Sequence, residues 1–557
     1  MKEIIEKLIK EELTSLGAKN PEVVLNHPSE LSHGDYASSV ALSYTKELNI
    51  SPRELAEKIA GAIRKENLKE IEKIEVAGPG FINFRLSKEF FAQSLKEILK
   101  QGEKFGRNEV LKKQKTIIEY TDPNPLKTFH IGHLMSNTIG EATSRIIEYS
   151  GAEVKRANYQ GDVGIHVAKA IWGKIKNPGN SWGQAYAFGA KAYEENESAK
   201  KEITELNKKI YQRTDREINH LYDEGKKESL QEFEKIYQRL GTKFDYSFFE
   251  SETGKLGKEL VEKNIGKIFE KGENGSVIFK GSEEEGLHTR VFLNSEGLPT
   301  YEAKELGLAK IKYDKYHYEK SIVITGNEVN DYFRVLLKAM SLIFPELAIK
   351  TVHLSHGMLR LPSGKMSSRT GDVIFAESLI EQVKKLVEEK IKDRELSAQE
   401  KEDISEKVAI GAIKYSILKQ GTGKDIIFDF EKSLSFEGDS GPYLQYTATR
   451  AQSVLNKAKK EGIKADTKTK DISINEVERL LYRLLEVVER AGKEYQPHYI
   501  ATYLTELASA FNSFYAREQI VDSKDVASPY KVALTQAVAI ALKNGLYLLG
   551  IPVPSKM

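Results

Sequence analysis

Apolar residues recur every three or four positions at the start of the chain, in IIEKLIKEEL and again in SPRELAEKIAGAIRK, a spacing that predicts amphipathic helices. The pattern then changes to IEKIEVAGPGFINFRLS, where the Gly-Pro-Gly at Gly78–Gly80 reads as a turn between two strands rather than as a phosphate loop. Helices and a strand pair predict a small α+β unit, and the charged run from Gln101 to Lys115 reads as a connector. A short apolar strand, Thr116–Tyr120, opens the next unit. Pro123 and Pro125 forbid helix immediately after it. Leu134, Ile139, Ala142, Ile146 and Tyr149 then fall at helical spacing, Gly151 ends the helix, and AEVKRANYQ returns to strand. Strand, helix, strand predicts a βαβ unit and therefore a parallel sheet.

From about Trp172 to Lys271 the sequence is charged and helical, as an insertion between sheet halves would be. SVIFK, TRVFL, SIVITGN and TVHLSHGMLRL then resume strands to about residue 360. From Leu396 onward nearly everything is amphipathic helix, as in LLYRLLEVVERAGKEY. The expected architecture is a multidomain α/β protein. A small α+β domain spans residues 1–110, a Rossmann-type parallel-sheet domain with a helical insertion (about 172–271) spans 111–385, and an all-α domain spans 386–557.

Composition narrows the class. The 557 residues are 40% hydrophobic and 30% charged, which suits several globular cores and not a disordered or membrane-embedded chain. No run reaches the roughly 20 apolar residues of a bilayer span, and the first residues lack the apolar stretch of a signal peptide. There are no cysteines, so disulfides, thiolate nucleophiles and cysteine zinc sites are excluded and a cytoplasmic location is expected. A net charge of +2 is no nucleic-acid signal in itself, but 84 basic side chains can still be segregated onto one face.

The sharpest motif is His130-Ile131-Gly132-His133, where the first strand of the second unit turns into a helix. Free backbone N–H groups and the helix dipole favour phosphate there, Gly132 permits close approach, and two imidazoles one turn apart can donate to phosphate oxygens. The plainer alternative is a pair of capping or packing histidines. Gly364-Lys365-Met366-Ser367-Ser368-Arg369 is a small-residue loop with two cations, suited to clamping and releasing a pyrophosphate, or else a solvated basic turn. No Walker loop and no H-E-x-x-H occurs. His130/His133 and His353/His356 are H-x-x-H pairs without an evident third ligand, so no structural metal is expected.

Taken together, in this order and 235 residues apart, the two motifs resemble the HIGH and KMSKS signatures of class I aminoacyl-tRNA synthetases. Nearly the whole chain resembles the arginyl-tRNA synthetases. HPSELSHGDYASSVA and VAGPGFINFRL look like their N-terminal domain, PNPLKTFHIGH, NYQGDVGIHVAKA and LPTYEAKELGLAK like their catalytic core, and GDSGPYLQYTATRA and LLGIPVPSKM like their anticodon-binding domain. The resemblance implies ATP with Mg²⁺, L-arginine and tRNA as partners, and tRNA-dependent activation of arginine as the adenylate, followed by transfer to the terminal adenosine. It implies catalytic roles for Lys127, His130, His133 and Lys365, and an ATP site of Pro123, His130, Gly132, His133, Lys365, Met366, Ser367, Ser368 and Arg369. It places arginine on Glu119, Asn124, Tyr301, Glu305 and Glu328, and tRNA on Phe81, Asn83, Tyr443, Tyr446 and Arg450. Carboxylates are the chemically apt partners for a planar, permanently charged guanidinium.

Three positions depart from the family pattern. Glu305 stands for the usual Asp, one methylene longer; Val329 stands where a Gln is common, leaving Glu328 as the polar neighbour; and Ser368 replaces the second Lys of the loop. Many arginyl enzymes lacking that Lys carry one three residues before the first His, here Lys127, which is read as its replacement. The rival readings are a small nucleotidyltransferase, which leaves the long helical region without a role, a different class I synthetase, and an RNA-binding paralogue with a dead site, which the intact histidines and Lys365 disfavour. Without a long exposed apolar heptad, a monomer is the default.

Overall fold

A computed structural model describes residues 1–361, 375–468 and 473–557, and the chain divides into two compact units. The first comprises residues 1–105, 450–484 and 506–541. Its sheet is antiparallel in the order β1 (Tyr36–Ser38), β3 (Phe81–Leu86), β2 (Ile71–Ala77). Helices α1 (Lys2–Ser15), α2 (Val40–Leu48), α3 (Pro52–Lys65) and α4 (Lys88–Gln101) complete its N-terminal part. The expected periodicity holds: Ile5, Ile9 and Leu13 of α1 and Leu55, Ile59 and Ile63 of α3 are buried with Ile82, Phe84 and Leu86 in one core. Ser51 caps α3 by accepting from Glu54 N–H, with Pro52 at the first helical position. The later segments of this unit join the same core: Tyr482 packs within it, and Arg479 pairs with the buried Asp35, whose carboxylate also accepts from Leu86 N–H at 2.8 Å.

The second unit comprises residues 106–449, 485–505 and 542–557. Its centre is a five-stranded, wholly parallel sheet in the order β11-β10-β4-β5-β6. The strands are β4 (Lys115–Glu119), β5 (Glu153–Gln160), β6 (Tyr246–Phe249), β10 (Lys320–Gly326) and β11 (Thr351–His356). Residues Thr116 to Glu119 are all buried, as befits a central strand covered on both faces. Helix α5 (Ile131–Tyr149) crosses from β4 to β5, and its Gly140 lies so close to Tyr120 that a β-carbon would stand 2.1 Å from the ring. The chain steps outward from β4 to β5 and β6, then returns on the other side of β4 with β10. That reversal is where open α/β sheets form ligand crevices at their strand carboxyl ends.

The stretch read as an insertion is mostly helical but does not run unbroken. Helices α6 (Ile165–Lys176), α7 (Trp182–Glu195), α8 (Glu197–Gln212) and α9 (Arg216–Leu240) are followed by β6, the edge strand of the parallel sheet, and by α10 (Glu250–Lys263). The four residues YSFF bury only Phe248, too little alternation to read as a strand in a charged context. SVIFK and TRVFL do form strands, but with β7 (Glu270–Lys271) they make a separate antiparallel sheet, β7-β8-β9, with β8 at Val277–Phe279 and β9 at Arg290–Leu293. Helices α11 (Tyr301–Lys315) and α12 (Asn330–Ile343) flank β10, while β12 (Leu359–Arg360) pairs with β13 (Ile426–Ile427). Among the described residues, no helix is long and apolar enough to cross a membrane.

Candidate active site

The carboxyl ends of β4 and β5 carry most of the described residues singled out in the second unit. The loop after β4 bends sharply: Thr121, Asp122 and Leu126 hold φ of 83°, 49° and 66°, left-handed values uncommon for residues with a β-carbon. The bend delivers His130 as the N-cap of α5. His130 Nδ1 accepts from Gly132 N–H at 3.1 Å, and His133 Nδ1 accepts from His130 N–H at 3.2 Å. The rings stack with centroids 3.6 Å apart. Capping and phosphate binding are therefore compatible. With both Nδ1 atoms accepting, each neutral ring carries its proton on Nε2 and can donate from there. Burial, then the neighbouring Lys127, lowers the His130 imidazole to about 4; burial, His130 and Lys127 lower His133 well below its usual range, so both are neutral donors at pH 7.

Lys127 is half-buried beside them, and burial together with Lys169 lowers its ammonium to about 8. Pro123 is buried in the bend, and Gly132 makes room for the His130 ring, since a β-carbon there would lie 2.9 Å from it. Lys365, Met366, Ser367, Ser368 and Arg369 lie outside the described residues. The chain is described again from Phe375, which forms a β-bridge with His130, while Ala376 N–H donates to Phe129 O at 3.0 Å.

On the other side of the bend stands a group of carboxylates. Glu119, at the end of β4, is buried and paired with Lys312 of α11, Oε2 to Nζ 2.6 Å. Asp122 accepts from Tyr159 N–H at 2.8 Å. Burial, then the charge of Glu119, raises the carboxyls of both Asp122 and Glu305 well above the usual carboxylate range, partly opposed by Lys312. Burial, then the charges of Glu305, Glu302, Glu119 and Glu250, raises the Tyr332 phenol well above its usual value. Asn124 packs on the backbone of Gly161, where a β-carbon would meet its Oδ1 at 2.3 Å. Glu250, nearby, pairs with Lys304 at 2.5 Å. Tyr301, at the start of α11, is 59% exposed with Lys304 Nζ 5.3 Å from its ring centroid.

Glu328 is placed differently. Its exposed carboxylate folds over Gly326, within 2.1 Å of where a β-carbon would be, and its charge acts on His356 at the end of β11. His353 is not a ligand in waiting: it stacks on Phe333 at 3.9 Å and bonds Thr325 Oγ1 at 2.7 Å. Sequence reasoning missed Asp122, Lys312 and Tyr332. Asp122 sits three residues after Glu119, and Lys312 lies two turns after Glu305 on α11, yet both read as ordinary surface charges in so charged a chain.

Of the residues expected to meet RNA, Phe81 is 40% exposed at the start of β3, so it is not core, and Asn83 is half-buried between Ala37 and Glu75 of the adjoining strands. Tyr443 and Tyr446 are half-buried, the latter edge-on to Phe436 at 6.3 Å. Arg450 donates to Asn512 Oδ1 at 2.5 Å and lies over the Tyr515 ring, a packed rather than an outstretched arrangement.

Comparison with known proteins agrees along the whole chain. The family model described as tRNA synthetases class I (R), catalytic domain, matches residues 94–430. The arginyl tRNA synthetase N terminal domain matches residues 3–86, and the DALR anticodon binding domain matches 444–557. The arginine–tRNA ligase of Borrelia hermsii is 30% identical over 584 residues, covering 100% of this chain and 99% of its own. That of Halothermothrix orenii is 31% identical over 571 residues, covering 100% and 99%. Among solved structures, the arginyl-tRNA synthetase of Thermus thermophilus superposes with a TM-score of 0.75 at 23% identity, covering 100% of both chains. That of Plasmodium falciparum gives 0.77 at 19%, covering 100% and 99%.

Proposed function

The chain belongs to the arginyl-tRNA synthetase family, and we propose that, as an arginine–tRNA ligase, it carries out both steps of charging at the crevice beyond β4 and β5. The observation that carries the substrate is the acid cluster. Beside the Glu119–Lys312 pair, the carboxyls of Asp122 and Glu305 are raised by burial and by Glu119, so a guanidinium entering there would favour their ionised form and pair with them, which a neutral side chain cannot do. Glu305, one methylene longer than the family's Asp, keeps the sign of that charge. Asn124 would hold the amino-acid end and Tyr301 would join Glu305 at the guanidinium, while Glu328 would contribute only at the rim.

In the first step an arginine carboxylate oxygen attacks the ATP α-phosphorus in line, and the bond to the bridging oxygen breaks to release pyrophosphate. Positioning and charge stabilisation do the work. His130 and His133 donate from Nε2, Lys127 supplies a cation beside them, and Lys365, Met366, Ser367, Ser368 and Arg369 would bind the leaving group. The triphosphate is itself a ligand for Mg²⁺, so Mg²⁺ would arrive with ATP and neutralise the leaving pyrophosphate. In the second step the 2′-hydroxyl of the terminal adenosine attacks the adenylate carbonyl and AMP leaves.

Residues 1–110, with exposed Phe81 stacking on an unpaired loop base, and the helical residues 386–557 would grip the tRNA of a monomeric, cytoplasmic enzyme. The test is esterification of total tRNA with ATP and Mg²⁺ and each amino acid separately. Arginine alone should be charged. Charging with another amino acid would overturn the pocket while keeping the fold, and tRNA binding without any charging would make the chain an inactive paralogue.

A further inference from the structure

Helix α7 of the insertion packs against the segment leading into the two histidines. Its Gly183 faces Thr128, where a β-carbon would stand 2.3 Å from Oγ1 and would push that hydroxyl aside. One turn along and on the same face, Tyr186 lays its ring against the Lys127 ammonium, with Nζ 4.6 Å from the ring centroid. The other charges nearby are already engaged: Glu250 pairs with Lys304 at 2.5 Å. Lys169 pairs with Glu194 at 3.3 Å and lies 4.0 Å over the Tyr193 ring. Helix α7 thus supplies the partners of both lysines, but of different kinds. A carboxylate neutralises an ammonium and takes up its donors. An aromatic face attracts the cation yet leaves its charge and most of its N–H groups for another anion.

We propose that Tyr186 is a positioning residue for ATP, holding the Lys127 ammonium beside His130 and His133 without neutralising it. The insertion then builds part of the triphosphate site rather than merely separating the halves of the sheet. The inference rests on the reading of Lys127 as a phosphate ligand.

The test is arginine-dependent ATP–pyrophosphate exchange with tRNA present, comparing Tyr186→Leu, Tyr186→Phe and Lys127→Ala. Tyr186→Leu should raise the KM for ATP about tenfold, the scale of a partly desolvated cation–π contact, with the KM for arginine within twofold. Tyr186→Phe, which keeps the ring, should restore the ATP KM, and Tyr186→Leu should add nothing in a Lys127→Ala background. An impaired Lys127→Ala beside an unaffected Tyr186→Leu refutes the role of Tyr186 alone. Equal rises in both KM values, or a Phe variant as poor as Leu, also refute it. An unimpaired Lys127→Ala overturns the underlying reading of Lys127 instead.

Discussion

Lys414, in the helix Ala398–Leu418, is a buried lysine whose ammonium donates to two backbone carbonyls, Leu240 O at 2.6 Å and Gly550 O at 2.8 Å. Burial, then repulsion by Arg145, lowers it to about 7, with Glu141 opposing. An unfolded lysine titrates near 10.4, so between about pH 7 and 10 the unfolded chain binds more protons than the folded one. Stability therefore rises with pH across that window, at up to about 1.4 kcal/mol per unit, and the cost of the buried charge is full only below about pH 7. Lys414→Met keeps the apolar stem, removes the titration and orphans two carbonyls at about 1–3 kcal/mol each. The pH-independent loss and the pH-dependent gain can then be separated. The stability of the natural protein minus that of Lys414→Met should increase by about 2 kcal/mol from pH 7 to pH 9, all other titrations cancelling in the difference. Trp172 and Trp182 are the chain's only tryptophans and both lie in the second unit, so urea unfolding followed by their fluorescence reads the relevant transition. Parallel pH profiles for the two proteins would refute a lysine that titrates near neutrality.

Three further outcomes are expected. His130→Ala removes one neutral phosphate donor and should cut the rate of adenylate formation by about 10²–10³, with tRNA affinity in filter binding unchanged. Asp122→Asn keeps an oxygen for the Tyr159 N–H but removes one of three carboxylates, and should raise the KM for arginine about tenfold in steady-state charging, a loss of one charge-assisted contact. Asp35→Ala strands the buried Arg479 guanidinium and should destabilise the first unit by about 3–5 kcal/mol. The loss should appear as an earlier urea-unfolding midpoint in far-ultraviolet circular dichroism.

Much of the fold is legible along the chain because its signals are local. The apolar spacing of IIEKLIKEEL, the Gly-Pro-Gly turn, the prolines after Tyr120 and the helical run to Tyr149 each specify an element within a few residues. The class signature is also local, since His130, Gly132 and His133 sit at one helix terminus. By contrast, β6 could not be read from YSFF, because a four-residue edge strand owes its existence to hydrogen bonds with β5 rather than to its own periodicity. The C-terminal helical region reads as one block, yet its residues are shared between two compact units, a division made by contacts far apart in sequence.

The site divides in the same way. Sequence alone determined that the chain carries an H-x-G-H motif at a strand-to-helix turn, acids at strand ends and the pattern of one synthetase family. Only the tertiary structure decided which charges are left over. Glu119 and Lys312 meet across 193 positions, Asp122 and Glu305 are then short of a cation, and Tyr186 reaches Lys127 from an inserted helix. The reason is physical. Helix and strand patterns depend on neighbours along the chain, whereas the protonation of a buried acid and the availability of an ammonium depend on every charge folded within a few ångströms of it.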